Sequence, residues 1–139
     1  EAGYRTTLDI DLIPLGDAPQ SQILILMGIA ERHGLPVETI NQAAGYFLRR
    51  VPRYLEHTVL LHEGSRARIY RPDPTLFVLL KLPRLSQSDL EDCLAFLRLA
   101  RDTAEKMEEQ VLRDAVVAEL EAAGQEGRRE RLERLLTAL

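Results

Sequence analysis

Residues 5–13 read Arg5-Thr6-Thr7-Leu8-Asp9-Ile10-Asp11-Leu12-Ile13, two aspartates one residue apart in an apolar setting. Alternation of this kind predicts a strand over residues 5–14, closed by Pro14. On a strand Leu8, Ile10 and Leu12 share one face, and Asp9 and Asp11 share the other, about 7 Å apart along the backbone. Two readings fit. Either the acidic face meets water, or it holds metal. Acidic residues are disfavoured in strands, and two on one face repel each other unless a cation offsets them. Paired carboxylates of this kind suit Mg²⁺ ions about 3.5–4 Å apart, which activate a hydroxyl and stabilise a leaving phosphate.

The elements that follow give the strand its context. From Ser21 the pattern Ile23, Leu24, Leu26, Met27, Ile29, Ala30 is helical, with Gly34 as a stop and Pro36 beyond it. A second helix is expected over about 37–48. Residues 58–62 and 66–70 read as two strands joined by Glu63-Gly64-Ser65, with the glycine supplying a positive φ. The hairpin is expected to extend the sheet of the first strand.

After Pro72-Asp73-Pro74, the apolar run Leu76 to Leu80 ends in Lys81 and predicts a buried helix. Another begins at Ser86 or Ser88, with Asp89, Glu91 and Asp92 in its first turns, where acids suit the helix dipole. Leu90, Cys93, Leu94 and Leu97 form its apolar stripe. Residues 103–123 read as one helix, 124–127 as a break and 128–139 as a last amphipathic helix with Leu132, Leu135, Leu136 and Leu139 on one side. The plan is α+β: a small mixed sheet with packed helices and a C-terminal helical extension. Residues 1–100 are read as the main domain and 101–139 as that extension. The extension is expected to fold back on the domain or to pair with a second copy as a homodimer.

Composition narrows the function classes. The chain has 139 residues, 45% hydrophobic and 29% charged, which suits one globular domain. No apolar run reaches the roughly 18–20 residues of a membrane span, and no signal segment opens the chain. A single cysteine, Cys93, leaves no intramolecular disulfide and fits a cytoplasmic chain. It lies on an apolar stripe and reads as packing. The net charge of −4 comes wholly from residues 73–139, with 14 acidic and 10 basic groups against 8 and 8 before them. That balance argues against a generic nucleic-acid coat protein. Arg49, Arg50, Arg53, Arg66, Arg68 and Arg71 still form a local cluster, either a phosphate patch or solvated surface. His33, His57 and His62 have no metal-ligand spacing and read as surface or core-edge residues.

The series Arg5, Thr7, Asp9, Ile10, Asp11, Leu12 resembles the metal-binding strand of the minimal nucleotidyltransferases. These form the polymerase-β-like superfamily that includes the AbiEii-type toxins of abortive-infection systems. Gly34-Leu35-Pro36 followed by Ile40-Asn41 is similar to an uncharacterised bacterial branch of it. The ordered run from Pro72 through Lys81, Arg84, Asp89 and Asp92 is similar to that branch's ending.

The resemblance, over roughly residues 3–100, implies a nucleotidyltransferase-like fold and transfer of a nucleoside monophosphate from a nucleotide triphosphate to RNA or protein. It also implies a toxin–antitoxin setting. Asp9 and Asp11 would be catalytic and hold Mg²⁺; Arg5, Lys81 and Arg84 would bind substrate phosphate. Lys81 has a second reading, pairing with Asp89 or Asp92. Two family features are unmatched. The glycine turn upstream of the first aspartate has no counterpart in the eight residues before Asp9; either it lies upstream of Glu1 in a longer chain, or the protein lacks it. The third carboxylate has only Glu56 and Glu63 as candidates, neither of them mid-strand. An enzyme and a non-catalytic module that kept the fold both remain open.

Overall fold

The computed structural model describes residues 13–15, 20–34, 42–65 and 67–139. Its elements are α1 (Gln20–Arg32), α2 (Gln42–Arg50), a single 3-10 turn (Tyr54–His57), β1 (Thr58–Glu63), β2 (Arg68–Pro72), α3 (Pro74–Lys81), α4 (Gln87–Asp102), α5 (Glu109–Ala122) and α6 (Glu126–Ala138). The class is α+β and mostly helical. The expected strand over residues 5–14 lies outside the described residues up to position 12. Among the described residues the sheet has two antiparallel strands, β1 and β2.

The chain separates into two compact units, residues 1–50 and 51–139. In the first, α1 starts near Ser21 and stops at Gly34 as its sequence predicts. Gly34 takes φ +68°, and its amide donates to Glu31 O at 3.0 Å. Glycine adopts that left-handed conformation without a Cβ penalty. α1 is apolar on nearly every side, so one packed face cannot hold all of it. Ala30 is buried, whereas Leu24 and Ile25 stay exposed. In α2, Gly45 is buried, and a Cβ there would come within 3.3 Å of Ile13 Cγ2. Any larger residue would force that neighbour to move.

The second unit begins with the hairpin. Leu60 pairs with Tyr70 and His62 with Ile69, so Leu61 is an extra residue in β1, a bulge. The turn corrects one expectation: among the described residues, Gly34 is the glycine with positive φ. Gly64 closes the turn through its amide, which donates to Ala67 O at 2.9 Å.

β2 runs directly into α3. Asp73 caps α3, its Oδ1 accepting from the Leu76 amide at 2.8 Å, and Pro74 occupies the first turn, where a missing N–H costs nothing. Leu76 and Val78 are fully buried. Ser86 caps α4 in a reciprocal arrangement with Asp89. The α4 stripe Leu90, Cys93 and Leu97 meets Leu112 and Val116 of α5, and Leu132, Leu135 and Leu139 around α6 complete this core. The C-terminal leucines therefore fold back onto their own chain. Deleting one such side chain, as in Leu132→Ala, removes about 2–5 kcal/mol.

The helix expected over 103–123 begins only at Glu109, because residues 103–108 turn the chain between α4 and α5. α4 continues to Asp102, and Ala104 then turns left-handed at φ +52°. The Glu105 amide reaches Ala100 O at 2.8 Å and the Ala104 amide reaches Arg101 O at 3.1 Å, the paired bonds of a Schellman stop. A run of good helix formers hides this stop, because alanine stands where glycine would announce it. The last helix likewise starts at Glu126, so Gly127 lies inside its first turn.

Helix ends in this unit are closed by arginines. Arg131 Nε donates to Leu85 O at 2.7 Å, and Arg128 Nη2 reaches Leu82 O at 3.3 Å while pairing with Glu119. These α6 cations satisfy carbonyls left open after α3. Arg101 does the same for α6, donating to Ala138 O at 2.7 Å.

Candidate functional site

Among the described residues, the polar cluster with the most buried charge sits where α3 hands over to α4. Lys81 closes α3, residues 82–86 turn the chain, and the Ser86 cap places Asp89 in the first turn of α4. Asp89 is only 1% exposed, so its charge is stable there only if fully hydrogen-bonded.

It is. Arg84 donates from Nε to Asp89 Oδ2 at 2.7 Å and from Nη2 to Oδ1 at 2.6 Å. Ser86 adds its amide at 2.9 Å and its hydroxyl at 2.7 Å, both to Oδ2. Lys81 Nζ donates to Asp89 Oδ1 at 3.2 Å and to Asp92 Oδ2 at 3.1 Å. Lys81 also lies over the Phe77 ring, 5.3 Å from its centroid. Burial alone would push the Asp89 carboxyl upward. The hydrogen bonds from Arg84, from the Ser86 hydroxyl and amide and from Lys81 together outweigh it and hold the group well below the usual carboxylate range. The same pairing raises the Arg84 guanidinium above its ordinary value.

Two cations thus face two carboxylates, and the cluster is close to neutral. A phosphate that drew Lys81 and Arg84 away from Asp89 would leave a buried carboxylate without its cations. The cost of uncovering a charge in that way is large compared with one exposed phosphate contact.

Arg5, Asp9 and Asp11 lie outside the described residues. Lys81 and Arg84 are brought together, with Asp89 and Asp92 between them. The two candidates for a third metal-binding carboxylate are each turned to an arginine. Glu56 accepts from Arg53 Nε at 2.8 Å, and Glu63 accepts from Arg68 Nε at 2.7 Å. Among the described residues no group of three or more His, Cys, Asp or Glu side chains is arranged to hold a metal ion. The arginine cluster is likewise largely engaged. Arg71 pairs with Glu105 at 2.7 Å, Arg50 lies over the Tyr46 ring, and Arg66 falls outside the described residues.

One polar pair escaped the sequence reading. His57 Nδ1 lies 2.9 Å from Asp73 Oδ2, and the Asp73 amide donates to His57 O at 2.8 Å. A carboxylate only accepts, so Nδ1 carries the proton in this contact. Because Asp73 Oδ1 already caps α3, the pair ties the 3-10 turn to the helix start. The pairing carries no local signal, because the histidine lies sixteen residues before its partner.

No family model, curated protein or solved structure matches this chain.

Proposed function

We propose that the chain is a non-catalytic interaction or regulatory module, one that uses its phosphate-binding residue types as internal fastenings. The observation that carries this reading is the engagement of Lys81 and Arg84 with Asp89 and Asp92. A cation recruited for triphosphate binding must be available to the ligand. Here Lys81 bridges two carboxylates, and Arg84 uses two of its N–H groups on one of them. No helix among the described residues is long and apolar enough to cross a membrane. A cytoplasmic setting is part of the proposal, and the single cysteine, which leaves no intramolecular disulfide, supports it. The C-terminal leucines that suggested a second copy are taken up by the chain's own core, so the proposal names no self-association.

Calorimetric titration with nucleotide triphosphates in millimolar Mg²⁺ tests this. The module gives no saturable heat. Saturable binding that Lys81→Met abolishes would overturn it.

A second reading, the metal-dependent nucleotidyltransferase, rests on the ordered series Arg5, Thr7, Asp9, Ile10, Asp11, Leu12. In it Asp9 and Asp11 hold Mg²⁺ and Arg5 offsets phosphate charge. Asp9→Asn then lowers Mg²⁺ affinity and leaves the fold intact. If the module reading holds, the substitution leaves Mg²⁺ binding at its wild-type level.

A further inference from the structure

We draw no further inference here: the strongest candidate, the apolar surface of the β1–β2 hairpin around Leu60, Leu61, Ile69 and Tyr70, carries none because nothing in the structure shows what covers it.

Discussion

Arg84 grips Asp89 through two hydrogen bonds, Nε to Oδ2 at 2.7 Å and Nη2 to Oδ1 at 2.6 Å. The guanidinium is mostly solvent-exposed and the carboxylate is buried, so the partners are unequal. Removing Arg84 leaves Asp89 with Lys81 and Ser86. Removing Asp89 leaves Arg84 without its partner, Lys81 with Asp92 alone and a helix without its reciprocal cap. The carboxylate is the hub.

Acid should loosen this hub in a defined window. The Asp89 carboxyl titrates in the folded protein well below its unfolded value of about 3.9. Its contribution is therefore complete above that unfolded value and is lost as pH falls through it towards the folded value. Urea unfolding followed downward from about pH 5 should show stability falling with pH more steeply in the wild type than in Asp89→Asn. Equal slopes would mean that Asp89 is not the linked group.

How much of this was legible in the sequence depends on the range of the interaction. The α4 start was readable because Ser86…Asp89 is a local cap formed within three residues, and the α3 start because an apolar run follows a proline-bearing turn. The core stripe of α4 followed from helical spacing alone. For Lys81 the sequence allows two partners, phosphate or Asp89 and Asp92, because spacing does not say which way a long flexible side chain turns. Arg128 and Arg131, serving carbonyls some 46 residues away, carry no local signal at all. The Asp9–Asp11 strand, on which the enzymatic reading depends, falls outside the described residues.

Ala104 marks a stop that a better residue would reinforce. It is exposed, takes φ +52° and supplies no buried contact to lose. A left-handed residue bearing a Cβ costs about 1–2 kcal/mol. Glycine's extra freedom in the unfolded chain takes back about 0.4–1 kcal/mol. Ala104→Gly should then stabilise by roughly 0.5–1 kcal/mol, read from the urea midpoint at unchanged slope. A loss of stability would show that α4 and α5 are not separated at this residue.

Cys93 should be chemically silent. Its side chain is buried in the α4 stripe, and burial, opposed by Lys81 and reinforced by Asp89 and Asp92, pushes the thiol up to about 12. A disulfide-exchange reagent at neutral pH should react only at the rate at which the unit opens, and at once in denaturant. Rapid reaction of the native protein would contradict the packing of α4 against α5 and α6.

The most direct test of the account is a double-mutant cycle across Arg84 and Asp89, with Arg84→Met, Asp89→Asn and the pair compared by urea unfolding at neutral pH. The Arg84 side chain is solvent-exposed, so screening discounts its share. The bidentate geometry and the buried acceptor still predict a coupling of about 1–2 kcal/mol, with Asp89→Asn the more damaging single change. Additivity within about 0.3–0.5 kcal/mol would mean that the two residues do not depend on each other. In that case Arg84 is free for a ligand, and the reading of this cluster as an internal fastening fails.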